Sequence, residues 1–243
     1  MKEFKITKND AGQRMDKFLT KAVPKLPKAL LYKYIRIKRI KLNGKRCEIS
    51  SRLCEGDVIE CYVSDEFFEA ENKRPEFMLA PSAIDVVYED ENILLINKPA
   101  GLLVHEGNDW CADTLIARIQ HYLYKKKEYD PAAENSFVPA LCNRIDRNTC
   151  GIVIAAKNAA TLRVLNDKIK ERELEKKYLC VVKGVPKRKS GVLEHFILKN
   201  EKTNTVEALA APAPGAKTAK TKYTVLTSHD GMSLVEAELL TGR

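Results

Sequence analysis

Asp146 is the residue whose neighbours best suit it to chemistry, because Arg144 and Arg147 flank it in residues 140–156, Ala-Leu-Cys-Asn-Arg-Ile-Asp-Arg-Asn-Thr-Cys-Gly-Ile-Val-Ile-Ala-Ala. An opposite charge within a few ångströms favours the ionised form of a carboxyl group. The spacing therefore predicts a carboxylate kept charged and fit to act as a nucleophile or a base. The polar run passes through Gly151 straight into an apolar strand, which would put the reactive group on the lip of a core. A solvated turn whose ion pairs contribute little has the same pattern, and spacing alone leaves both readings open. Cys142 and Cys150 stand close by, but no neighbour is an obvious base for a thiol.

The elements that must position this segment follow from periodicity. Residues 151–156 read as a strand, followed by a helix capped by Asn158 with Leu162, Leu165 and Ile169 inward. Upstream, 85–88 and 93–97 read as two strands around a turn, closed by the Lys98-Pro99-Ala-Gly101 turn. Asp113 is placed to cap a short helix carrying Leu115, Ile116, Ile119 and Leu123, and the polar run 125–136 reads as a surface insertion. Tyr178 falls in a strand over 178–182, where the plain reading is a core tyrosine. Residues 201–222, rich in Ala, Thr, Pro and Lys, read as a mobile loop, and 223–228 with 233–240 as paired strands around His229-Asp-Gly231. Strands outnumber helices and βαβ alternation is rare, which predicts an α+β fold with a mixed, largely antiparallel sheet.

Residues 1–63 form a separate pattern. Met15, Phe18, Leu19, Ala22 and Val23 recur at helical spacing until Pro24 and Pro27 intervene, and a second helix carries Leu30, Leu31, Tyr34 and Ile35 as its apolar stripe. Lys25, Lys28, Tyr32, Arg36 and Arg39 recur every three or four residues and so fall on the other side. Asn43-Gly44 marks a hairpin over 40–47, and Glu55-Gly56-Asp57 turns the chain into a strand over 58–63. The net charge of the chain is +9, and all of that excess lies here, where 16 Lys and Arg face 7 Asp and Glu. A positive block of this kind suits phosphate neutralisation, and equally a lysine-rich surface kept soluble. Residues 64–83, acidic and punctuated by Pro75 and Pro81, read as a linker whose Phe67, Phe68, Phe77 and Met78 could dock on either side. That leaves 84–243 as a second domain.

Seven cysteines without Cys-x-x-Cys pairs or close histidine partners argue against a disulfide framework and a zinc site, so most are expected to be small core residues. No apolar run approaches the ~20 residues that cross a bilayer, and the first residues lack the apolar centre of a signal peptide. A cytoplasmic protein without membrane contact is the expectation.

Residues 143–151, Asn-Arg-Ile-Asp-Arg-Asn-Thr-Cys-Gly, resemble the His-Arg-Leu-Asp-x-x-Thr-Ser-Gly signature of the RluA-type pseudouridine synthases, with Asn143 in place of His and Cys150 in place of Ser. Residues 85–105, with Lys98, Pro99, Gly101 and His105, are similar to the first motif of that family. Residues 175–184, with Tyr178, are similar to its tyrosine segment, and Leu240-Thr241-Gly242-Arg243 to the start of its last motif. The two short helices, the Lys-Leu-Asn-Gly-Lys hairpin and Glu-Gly-Asp of residues 1–63 resemble the S4 RNA-binding domain.

The resemblance implies an isomerase that converts uridine to pseudouridine in structured RNA, most commonly large-subunit ribosomal RNA, with no cofactor and no metal. By it, Asp146 is the catalytic carboxylate, Tyr178 packs against the flipped base and Arg243 pairs with the carboxylate. Arg144 fills the gap left by the extruded uridine, a task that suits a planar, permanently charged group. Lys28, Tyr32, Arg36, Arg39 and Lys45 would bind RNA on the amino-terminal module. Lys98, Gly101 and His105 would form a tight turn that supports the site. Family members continue beyond the position of Arg243, so the pattern implies a catalytic domain incomplete at that end. A monomer is expected. The alternative is a non-catalytic RNA-binding or ribosome-assembly protein in which the S4-like module does the work.

Overall fold

The computed structural model describes residues 1–68, 75–107, 110–200, 203 and 205–241. Backbone contacts divide the chain into two units, Met1–Asp167 and Lys168–Arg243. Among the described residues no helix is long and apolar enough to cross a membrane.

The first unit opens with β1 (Lys2–Lys5), α1 (Met15–Ala22), α2 (Lys28–Arg36), β2 (Ile40–Leu42), β3 (Lys45–Arg46) and β4 (Val58–Cys61). Its strands pair antiparallel in the order β1-β4-β2-β3. The helical spacing read from the sequence buries Met15, Phe18 and Leu19 of α1 with Leu31 and Ile35 of α2, Ile40 of β2 and Ile59 of β4 in one core. Asn43 and Gly44 both take positive φ, 51° and 72°, the left-handed pair that a two-residue hairpin turn requires. Arg39 does not continue the basic face of α2 as its spacing suggested. The helix ends at Arg36, Lys38 turns left-handed at φ 64°, and Arg39 folds back over the Tyr34 ring at 5.9 Å.

The same unit continues with β5 (Val86–Glu89), β6 (Ile93–Lys98), α3 (Leu115–Lys125), β7 (Ala140–Leu141), β8 (Gly151–Ala156) and the start of α4 (Ala159–Lys170). These strands form a second antiparallel sheet, β5-β6-β8-β7. Leu94 and Ile96 of β6 and Val153 and Ala155 of β8 are fully buried, as are Leu115, Ile119 and Leu123 of α3. Thr114, not Asp113, caps α3, its hydroxyl accepting from the Ala117 amide at 3.3 Å. Both residues can cap, but Asp113 is held by Arg118 through two bonds of 2.6 and 2.7 Å. Asn158 caps α4 as read, accepting from the Thr161 amide, and Leu162, Leu165 and Ile169 form the less exposed face.

Parts far apart in sequence are joined within this unit by a polar patch around Asp10, which is 0% exposed. Its carboxylate accepts from the Thr7 amide and hydroxyl, from Asn135 Nδ2 at 2.8 Å and from Ser136 Oγ at 2.6 Å. Asn9 Oδ1 accepts from the Ala159 amide, and Arg163 donates to the Ala11 carbonyl at 2.8 Å. The run read as a surface insertion is thus partly a docking surface. The expected linker also docks, with Phe67 and Phe68 on the amino-terminal core and Phe77 against His121, Tyr124 and Tyr129.

The second unit is one antiparallel sheet of β9 (Lys177–Lys183), β10 (Ser190–Asn200), β11 (Thr205–Leu209), β12 (Lys217–His229) and β13 (Met232–Leu239), in the order β11-β10-β12-β13-β9. The loop expected over 201–222 is not what forms. β11 and the first residues of β12 occupy much of it, because Thr and Val there pair in register with β10, Thr205 opposite Asn200 and Thr221 opposite Leu193. The hairpin around Asp230-Gly231 forms as read. The cysteines depart from expectation: only Cys47 and Cys61 are buried, while Cys54, Cys150 and Cys180 are exposed, and all seven are free thiols.

Candidate active site

Lys98 and Gly151 stand opposite each other where β6 ends and β8 begins. The two loops that carry the candidate residues therefore leave the same end of the sheet. Lys98 is 0% exposed, and its ammonium donates to the carbonyls of Pro99 at 2.9 Å, Leu102 at 2.9 Å and Arg147 at 3.0 Å. The Gly101 amide donates to the same Arg147 carbonyl at 2.8 Å, and Arg147 Nε returns a bond to the Gly101 carbonyl at 3.0 Å. Gly101 sits at φ 89°, a conformation that a side chain would strain. The turn after β6 and the loop before β8 are thus laced together by three bonds, one of them from a buried cation.

The loop over 142–150 is fixed from its other side by Asn143. Its side chain accepts from the Ile154 amide at 2.8 Å and donates to the Ile152 carbonyl at 3.3 Å, extending the pairing along β8. Ile145 points inward and is buried, while Arg144 and Asp146 on either side of it are exposed. The Thr149 amide closes the turn on the Asp146 carbonyl at 3.1 Å. One residue anchors the loop and its two neighbours face out.

The two arginines that flank Asp146 in the sequence turn to other partners. Among the described residues, no ion pair joins Asp146 to Arg144 or Arg147, because Arg147 is committed to Gly101 and Arg144 lies towards His105. The cation that ties down the loop is Lys98, through the Arg147 carbonyl. Burial pushes the Lys98 pKa down, and the negative charges of Cys150 and Asp146 oppose that shift. His105 is pushed below its ordinary value by burial and then by the charge of Arg144.

The other candidates are distributed over the molecule. Tyr178 lies half-buried on β9 in the second unit, opposite Ala237 of β13. Arg243 lies outside the described residues. Lys28 stands over the ring of Tyr32 at 5.7 Å, and Arg36 and Lys45 are exposed on the amino-terminal module. Sequence reasoning treated Lys98 as turn support without seeing how much converges on it. The signal was a lysine closing an otherwise apolar strand directly before Pro. It read Asn143 only as a replacement and missed its role as a strand-extending brace. Among the described residues no group of three or more His, Cys, Asp or Glu is arranged to hold a metal ion.

Residues 92–243 match the RNA pseudouridylate synthase family. An uncharacterized RNA pseudouridine synthase of Mycoplasma capricolum is 32% identical over 100% of this chain and 78% of its own length. Ribosomal large subunit pseudouridine synthase C of Vibrio vulnificus is 31% identical over 98% of this chain and 72% of its own. Among solved structures, human RNA Pseudouridylate Synthase Domain Containing 4 superposes with a TM-score of 0.52 at 24% identity, over 65% of this chain and 60% of that one, and shares the fold. These likenesses define the class as enzymes that isomerise uridine in RNA. The chain belongs to the RNA pseudouridylate synthase family.

Proposed function

We propose that this chain converts uridine to pseudouridine in large-subunit ribosomal RNA and that Asp146 is the carboxylate that acts at the ribose. The reaction breaks the N1–C1′ bond, turns the uracil and joins C5 to C1′, while the proton on C5 leaves and N1 gains one. Reactant and product contain the same atoms, so no oxidant, reductant or second substrate is needed. What it requires is an ionised carboxylate beside the sugar, used either as a nucleophile at C1′ or as a base on the ribose. The observation that carries the reading is that Asp146 is exposed on a loop tied to its neighbour through Lys98, with Arg147 turned away to Gly101.

In this reading Arg144 enters the duplex when the target uridine leaves its stack, and Tyr178 packs against the flipped base. Arg243 pairs with the carboxylate. The basic module over 1–63 acts as an S4-type RNA grip, with Lys28, Tyr32, Arg36, Arg39 and Lys45 meeting the phosphate backbone. The chain works in the cytoplasm as a monomer. The named relative from Vibrio vulnificus supports the choice of ribosomal RNA.

The test is Asp146→Asn, which keeps the shape and removes the charge. The variant is expected to fold and bind ribosomal RNA like the parent while forming no pseudouridine. An Asn variant that retains activity would refute the assignment. A parent chain that binds ribosomal RNA but leaves its pseudouridine unchanged would favour an assembly factor instead.

A further inference from the structure

Beside the candidate loop lies a hollow of about 390 Å³, between the turn that follows β6 and the outer side of α3. Its lining includes Phe77, His105, Glu106, Trp110 and Gln120, with Glu76 at one side. Trp110 is the single tryptophan of the chain and is 68% exposed, an unusual state for so large an apolar ring unless something covers it. Phe77 forms a rigid floor, buried and set edge-on to Tyr124 at 5.9 Å. The Gln120 amide is half-buried and has no hydrogen-bond partner among the described residues, so a donor and an acceptor stay available side by side.

The electrostatics select the occupant. Among the described residues the lining holds Glu76 and Glu106 and no lysine or arginine, which disfavours a phosphate. His105 is pushed below its ordinary value by desolvation and then by Arg144, which disfavours its protonated form. Two carboxylates and an amide beside an exposed aromatic face suit a flat, neutral group that carries N–H donors. The Arg147–Gly101 bonds tie the turn before His105 to the loop of Asp146, so such a group would sit next to the site of reaction.

We propose that this hollow is a subsite for an unpaired base of the substrate RNA bearing an exocyclic amino group, stacked on Trp110 and read by Gln120. The proposal rests on the reading of the chain as an enzyme acting on RNA, and deepens it by naming a second contact that would help choose the substrate. A base outside the duplex exposes its flat face and its edges at once, which is how single-stranded RNA is distinguished.

Trp110 provides its own readout. Short single-stranded oligonucleotides rich in adenine or cytosine, added to the full chain, are expected to quench its fluorescence saturably. Uridine-rich oligonucleotides and inorganic polyphosphate are expected to quench it much less at equal occupancy, with occupancy followed by anisotropy of a labelled strand. Trp110→Ala should weaken binding of the adenine-rich strand roughly 5- to 150-fold, the range expected when one stacked base is lost. Trp110→Phe should recover most of that loss, and Gln120→Ala should reduce the preference for adenine over uridine. Equal quenching by all probes, or no quenching at full occupancy, would overturn the proposal. Pseudouridine formation by the parent chain is measured separately, so quenching without isomerisation would sink the catalytic reading and leave the subsite standing.

Discussion

Lys98→Met is the perturbation whose size the structure fixes best. Methionine keeps most of the stem volume and removes the ammonium, which deprives three carbonyls of a donor. The Arg147 carbonyl still receives the Gly101 amide, so the loss falls on Pro99 and Leu102. A buried carbonyl left without a partner, as at Leu102, costs about 1–3 kcal/mol, and the more exposed Pro99 carbonyl adds less, giving about 1–4 kcal/mol. For a unit of this size that corresponds to a melting temperature lowered by roughly 3–12 °C. The sign against pH is specific. Burial depresses the folded pKa of Lys98, so the unfolded chain binds this proton more readily. Stability from this residue therefore grows as pH rises from the folded pKa towards the unfolded value of about 10.4, and is lost as pH falls back through the folded pKa. Calorimetry and urea titration of parent and variant at pH 7 and in mild alkali read both effects. A Met variant within about 1 kcal/mol of the parent at pH 7, or a parent advantage that shrinks in alkali, would refute the account of Lys98 as the tie between the two loops.

The other predictions address different parts of the molecule. Replacing Arg36 and Lys45 together by Gln is expected to weaken RNA binding and to lower the slope of log affinity against log salt by about 1.4–1.8, with little change in melting since both are exposed, measured by filter binding across a salt series. Asp10→Ala removes the acceptor shared by Thr7, Asn135 and Ser136, and should cost about 2–4 kcal/mol by urea unfolding. Lys157, whose side chain is 8% exposed, bridges Glu89 and Glu128, and Lys126 bonds both as well. Burial raises the pKa of each glutamate, but the bonds from the lysines outweigh it and leave both lowered. That stability is present above the unfolded value of about 4.3 and is lost as pH falls through the folded values. Lys157→Met should therefore flatten the acid side of the stability profile followed by circular dichroism.

Much of the first unit was legible in the sequence because its signals are local. The Asn43-Gly44 turn, the apolar stripes of α1 and α2 and the Asn158 cap each depend on residues a few positions apart. The second unit was less legible. Along β10 and β12, Glu194 meets Lys220, and between β12 and β13 Lys222 meets Glu238, so charged residues alternate where a buried sheet would show apolar ones. A strand that presents an ion-paired face to solvent has the composition of a loop until its partner is known. The pairing that turns residues 205–209 into a strand is likewise visible only once β10 is in place.

The candidate site shows the same limit in a form that bears on mechanism. Arg144 and Arg147 are neighbours of Asp146 along the chain, yet extended backbone and the bond to Gly101 turn them elsewhere. The cation that ties down the loop of Asp146 stands 49 residues before Arg147 and reaches it through a main-chain carbonyl. Lys98 fixes the backbone through Arg147, while among the described residues no hydrogen bond takes up either oxygen of Asp146. A carboxylate can be held in place and still be free to react when the group that holds it binds the chain and not the side chain.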